Sequence, residues 1–218
     1  LSILFSTLSC SGQDWNKRFY QELLSSLNDP TDSIYIEDRT QLEKISRQEC
    51  NDSIVKIGYT SNNGISISIK LEKGKFYPSQ HKIKLTDTVY KYLHGKKRVD
   101  YIQLKNLIDG KQAFGIDGNI PKSEVKDLII QWNDYYLNVP EKAYSNLYEP
   151  HFCGNYLPPE AYLTKNKILY IYFSGSDAAG SYSAKLVFNK RGYLTRIIGT
   201  NEMTNGYDFL DGTAKIND

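Results

Sequence analysis

His151 and Cys153 stand two residues apart in Glu149-Pro150-His151-Phe152-Cys153, a spacing at which an imidazole and a thiolate can share a metal ion. A tetrahedral zinc site takes three or four such ligands. The chain has only three histidines and three cysteines, and no second pair at ligand spacing, so neither a metal nor a cofactor is expected. The other two histidines read as surface groups: His94 in the basic turn His94-Gly95-Lys96-Lys97-Arg98, and His81 in the loop after Pro78.

The richest source of hydroxyls and carboxylate is Ser174-Gly175-Ser176-Asp177-Ala178-Ala179-Gly180-Ser181-Tyr182. A serine nucleophile elbow needs Gly-x-Ser-x-Gly opening into a helix. This run lacks that motif, and the residues after it alternate like a strand. It reads as a hairpin loop of small, adaptable residues beside aromatics, with Ser176, Asp177 and Tyr182 as partner contacts. A second loop, Gly115-Ile116-Asp117-Gly118-Asn119-Ile120-Pro121-Lys122-Ser123-Glu124, places Asp117, Asn119 and Glu124 close in sequence. The calcium-loop spacing fails, because Gly118 takes the second position and Glu124 comes too soon. Asp117 and Asn119 are therefore read as contact residues on an Asp-Gly turn. The expectation is a non-enzymatic protein, and the enzymatic alternative is a hydrolase using Asp177 or His151.

These loops need elements to hold them. Trp15, Phe19, Leu23, Leu24 and Leu27 recur at helical spacing between Asp14 and Asn28-Asp29-Pro30, and Leu42 with Ile45 suggests a second short helix over Thr40 to Glu49. The rest reads as strands. Ile54–Thr60 and Ile65–Glu72 flank Ser61-Asn62-Asn63-Gly64 as a hairpin. Further strands are expected at Lys82–Leu85, Val99–Leu104, Gln112–Gly115, Val125–Trp132 and Tyr135–Val139, with a short helix from Pro140. A meander follows through Ala161–Thr164, Ile168–Ser174, Ser183–Phe188 and Tyr193–Gly199. The fold class is α+β, a mainly antiparallel sheet of meanders and hairpins with an N-terminal helical arm. Residues 11–50 form the arm and 51–218 the β-rich body of a single domain.

Composition bounds the partners. Lys and Arg number 27 against 25 Asp and Glu, a formal net of +2, too little for the broad phosphate neutralisation that nucleic acid requires. Local charge is uneven: eight basic residues face three acidic ones between Lys82 and Lys111, and four acids face Lys215 between Asn201 and Asp218. Such asymmetry steers a charged partner, or simply solvates hairpin turns. Tyrosine is abundant, at 18 of 218 residues. Tyr135, Tyr136, Tyr170, Tyr172 and Tyr182 fall in strands whose neighbours already supply aliphatic core, so Tyr172 and Tyr182 are read as rigid amphipathic contact area. Half-buried sheet is the competing account of them.

Residues 1–9, Leu-Ser-Ile-Leu-Phe-Ser-Thr-Leu-Ser, run uncharged into Cys10 and then into polar Ser11-Gly12-Gln13-Asp14. This resembles the end of a bacterial lipoprotein signal, with Cys10 as the lipidation site and residues 1–10 as part of the signal. The run is too short to span a membrane, which takes roughly 20 apolar residues. Cys50 and Cys153 are then left either to form one disulfide in an oxidising envelope or to stay as two buried thiols.

Phe114-Gly115-Ile116-Asp117-Gly118 with Pro121-Lys122-Ser123-Glu124, then Val139-Pro140 leading to Asn146-Leu147-Tyr148-Glu149-Pro150, then the 174–182 loop, together resemble a poorly characterised group of small exported bacterial proteins and lipoproteins. Some of these accompany secreted antibacterial toxins as immunity proteins. The resemblance covers roughly Val99 to Thr200 and carries no catalytic residue. It implies an envelope protein, lipid-anchored and facing the periplasm from the outer membrane. Its partner would be a protein, most concretely a secreted toxin. The alternative is a structural or assembly lipoprotein.

Overall fold

The structure, a computed structural model, describes residue 35 and residues 42–61, 64–153, 158–177 and 180–199. Thirteen strands run in chain order: β1 (Glu43–Cys50), β2 (Ile54–Thr60), β3 (Ser66–Lys75), β4 (Ile83–Leu93), β5 (Lys96–Ile108), β6 (Lys111–Gln112), β7 (Ser123–Trp132), β8 (Tyr135–Tyr136), β9 (Pro150–His151), β10 (Glu160–Leu163), β11 (Ile168–Gly175), β12 (Tyr182–Asn189) and β13 (Gly192–Gly199). Ten of them make one curled sheet in the order β13-β12-β11-β10-β1-β2-β3-β7-β8, with β9 also paired to β11. The other three, β4-β5-β6, form a separate small sheet inserted between β3 and β7. Every pairing between these strands is antiparallel.

Side-chain chemistry sets the turns. Asn51 Oδ1 accepts from the amides of Ser53 and Ile54, both at 2.9 Å, and turns β1 into β2. Ser61 Oγ accepts from Ile65 N at 3.0 Å in the next hairpin. Thr164 Oγ1 does the same for Ile168 N at 3.0 Å, and Asn189 Oδ1 for Arg191 N at 2.7 Å. The β2–β3 hairpin and the C-terminal meander therefore stand where turn chemistry and alternation put them.

The segment expected as a short helix over Thr40 to Glu49 is corrected: residues 43–50 are strand β1. Leu42 and Ile45 fit a helical face, but only Ile45 of this strand is fully buried. Pairing decides instead, because Glu43–Ile45 bond to β10 and Ser46–Cys50 bond to β2, with a bulge between Arg47 and Glu49. One strand thus joins two halves of the sheet, and tertiary hydrogen bonding overrides a weak local preference. The helix expected from Asp14 to Asn28, the lipidation site Cys10 and the acidic segment 201–218 lie outside the described residues. A single 3₁₀ turn at Glu141–Ala143 stands where a helix of one or two turns was expected from Pro140.

Both halves contribute to one core. Val55, Ile57, Ile67, Ile69, Leu71, Leu128, Ile130 and Trp132 from one half meet Leu163, Leu169, Ile171, Phe173, Ala184, Leu186 and Phe188 from the other. The opposite face of β2, β3 and β7 is largely wet, as alternation implies. That is not so for β10–β12. Their other face buries Tyr162, Tyr170, Tyr172 and Val187 beneath Tyr35 and Leu42.

Cys50 at the end of β1 and Cys153 after β9 are joined by a disulfide, with Cα atoms 5.9 Å apart across a separation of 103 residues. A cross-link closing so long a loop restricts the unfolded chain strongly. Replacing both cysteines with serine is expected to lower the unfolding free energy by about 2–5 kcal/mol, checked by urea titration with and without reductant. Reductant should then have no further effect on the variant.

Candidate functional site

The two loops singled out in the sequence meet. Gly180 lies so close to the first loop that a Cβ there would fall 2.8 Å from the Ile116 carbonyl carbon and 3.2 Å from Asp117 N. These are backbone atoms, so only glycine permits the approach. Asn106 of β5, with φ +46°, clasps the first loop from below. Its Nδ2 donates to Ile116 O at 3.0 Å, and its Oδ1 accepts from Gly118 N at 3.2 Å. Glu149 organises the junction. Its carboxylate accepts from the amides of Lys122 and Ser123 and from Ser123 Oγ, while its carbonyl accepts from Ser176 N at 2.9 Å. Glu149 and Ser176 both hold left-handed backbone conformations, with φ +48° and +60°, and this bonding is what sustains them.

Asp117 and Asn119 are exposed on this platform, Asn119 Nδ2 donating to Asp117 O at 3.2 Å. Asp177 is exposed and Ser176 half-buried, with Ser176 Oγ donating to Asp177 O at 3.3 Å. His151 Nε2 lies 3.5 Å from Asp177 Oδ1. Burial pushes the His151 pKa below its ordinary value, more than the Asp177 charge pulls it up, and Lys73 pushes the same way as burial. Ser174 lies opposite His151 in the β9–β11 register. A trough of about 610 Å³ opens elsewhere, lined by Lys56, Ser68, Lys70, Gln131, Tyr136 and Asn138, and none of the loop residues borders it.

Two expected contact residues are corrected. Tyr172 is 5% exposed and Tyr182 2%, so neither offers surface to a partner. Tyr182 fills the space between β11 and the first loop. A Cβ on Gly175 would meet its ring at 2.4 Å, and one on Gly115 would meet it at 2.9 Å and Tyr148 O at 2.1 Å. The packing leaves the Tyr182 hydroxyl with no hydrogen-bond partner among the described residues, and desolvation raises its pKa strongly. Tyrosine here is core, as its β-propensity allows. Cys153, in its disulfide, is no metal ligand, and the described residues hold no group of three or more His, Cys, Asp or Glu placed around a metal. His81 stacks on Phe76 at 4.6 Å and bonds Asp109 through Nδ1 at 2.7 Å.

The sequence reading missed the length of the β4–β5 hairpin. Only Lys82–Leu85 and Val99–Leu104 were expected as strand, whereas pairing continues to Leu93 opposite Lys96. His94 and Gly95, with φ +51° and +72°, make the two-residue turn at its tip. The readable signal was the alternation of Tyr90-Lys91-Tyr92-Leu93 into Lys96-Lys97-Arg98-Val99 around a His-Gly pair. Its base is anchored where Ile83, Leu85 and Ile108 pack with Phe76, Ile116 and Tyr148.

His151 gives this platform a pH dependence. With its native pKa depressed below 6.5, the unfolded chain binds the proton more readily, so its stabilising effect is complete above that value and is lost as pH falls through the native pKa. Thermal unfolding midpoints from neutral pH to pH 5 should fall more steeply for the native chain than for His151→Gln. Asp177→Asn should lower the His151 pKa further, as read by NMR titration.

No family model matches the chain, and no curated protein or solved structure matches it.

Proposed function

We propose that the chain is an envelope-tethered, non-enzymatic binding protein, most concretely an immunity protein that neutralises a secreted toxin active in the periplasm. The supporting observation is the contact at Gly180, which joins two polar loops into one rim bearing Asp117, Asn119, Ser176 and Asp177. The rim stands on a bonded scaffold rather than on free loop, so little ordering cost attaches to binding. Its two exposed carboxylates favour a basic partner surface, for which complementary charge speeds encounter and sets register. The lipid on Cys10 would hold this rim at the outer membrane, where an incoming toxin arrives.

The hydrolase alternative draws support from the 3.5 Å approach of His151 to Asp177. Stoichiometry separates the two. A binding protein inhibits a toxin one-to-one, whereas an enzyme inactivates it at far lower ratios and loses that effect in His151→Ala.

The test is capture of the tagged chain from its native envelope, crosslinked during competition with neighbouring strains. Near-stoichiometric recovery of a secreted toxin is the expected result. Recovery of resident envelope proteins alone would sink the immunity reading and put a structural or assembly role ahead. With a toxin in hand, Asp117→Lys combined with Asp177→Lys should weaken binding by at least about tenfold through like-charge juxtaposition, while unfolding midpoints stay near native.

A further inference from the structure

Beyond its anchored base, the β4–β5 hairpin stands apart from the buried clusters. All of residues 90–102 are exposed, in a two-stranded segment beyond the anchored base. Such a ribbon ordinarily hides its large apolar groups or lacks them. This one presents Tyr90, Tyr92, Leu93, Val99, Tyr101 and Ile102, with Tyr92 71% and Ile102 67% exposed.

The register sorts these groups by face. Tyr92 lies opposite Lys97 and Tyr90 opposite Val99, and directly paired residues share a face. Lys97 Nζ lies 3.8 Å above the Tyr90 ring, in agreement. The other face carries Lys91 opposite Arg98 and Leu93 opposite Lys96. One face thus carries Tyr90, Tyr92 and Val99 with Lys97 over the Tyr90 ring, and the other carries Lys91, Lys96 and Arg98 together with Leu93 and, by its pairing with Val89, Tyr101. Asp100 is the only acid between Tyr90 and Ile102.

We propose that the tip of the β4–β5 hairpin docks on an anionic lipid surface, with Tyr90, Tyr92 and Val99 in the headgroup layer and Lys91, Lys96, Lys97 and Arg98 on the phosphates. This inference does not depend on the loop rim or on a protein partner. Composition selects lipid over protein, because lysine is depleted at the centres of protein interfaces, yet here Lys91, Lys96 and Lys97 adjoin Tyr90, Tyr92 and Leu93 in sequence or across the ladder. Tyrosine at headgroup level and lysine reaching back to phosphate are the interfacial arrangement. Dimensions agree: the rungs from Tyr90 to Leu93 extend roughly 10 Å at about 3.3 Å per residue, and interfacial elements seat about 5–10 Å deep. Among the described residues no strand pairs with the outer edges of the ribbon along the tip, and such open edges favour the wet interface over hydrocarbon.

The test uses the full chain carrying Cys10→Ser, so that no acyl group contributes, with sedimentation on vesicles of phosphatidylglycerol and phosphatidylcholine or of phosphatidylcholine alone. Binding to the anionic vesicles only, weakened by salt, is expected. Lys91→Gln, Lys96→Gln, Lys97→Gln and Arg98→Gln should each weaken it, by roughly fivefold per cation. Combined Tyr90→Ser, Tyr92→Ser and Val99→Ser should weaken it at least tenfold with all charge kept. No binding overturns the proposal, as does equal binding to both vesicles. Binding indifferent to the apolar variant overturns it too, since that is adsorption of a basic patch alone. All these sites are solvent-exposed and outside the buried clusters, and a cooperative melt near the native midpoint verifies folding of each variant.

Discussion

One eight-residue strand holds the two halves of this sheet together. β1 spends its first three residues on β10 and the rest on β2, and the bulge between Arg47 and Glu49 adjusts the register within its β2 half. A one-residue slip against either neighbour would rotate Ile45, buried in the common core, to the wrong face. The disulfide from Cys50 to Cys153 fastens the end of this strand to the segment that follows β9. The loop platform inherits that rigidity, because β9 carries His151, lies against the end of β11, and is preceded by Glu149 with its bonds to both loops.

The tyrosines answer a second constraint. Lys185, on β12, is 3% exposed, with its ammonium 4.0 Å from the Tyr170 ring centre and 5.2 Å from that of Tyr172. It also donates to the carbonyl of Tyr35. A buried cation loses its hydration, and aromatic faces with a carbonyl are a fitting replacement. Tyr162 stands edge-on to Tyr172 at 5.7 Å and completes the cluster. A composition that suggested a wet contact face serves instead to bury a charge within a second, polar-edged core.

Local chemistry made much of this legible. The Asn51, Ser61, Thr164 and Asn189 turns are written in residue type, and the strands they join alternate clearly enough to fix which side faces the core. What could not be read was non-local. Nothing in Glu43–Cys50 announces two partners lying in different parts of the chain. The alternation of β11 and β12 does not show that both faces are covered. At the site, the loops were visible as Gly-rich, polar runs carrying Asp117, Asn119, Ser176 and Asp177. Their meeting depends on the lack of a side chain at Gly180, which a sequence shows without showing what it faces.

The seam bears on assembly as well as on the finished fold. β2–β3 and the β10–β13 meander are built from neighbours close in sequence, so each forms with short loop closures. β1 meets β10 only across more than a hundred residues, as the pairing of Lys44 with Tyr162 requires. Until it docks, β10 offers a bare edge and β2 has one unsatisfied side, and a β1 from another copy fits those positions equally well. The strand that makes one chain a single body is therefore also the one through which two chains can trade parts, and a high local concentration of folding chains favours that exchange.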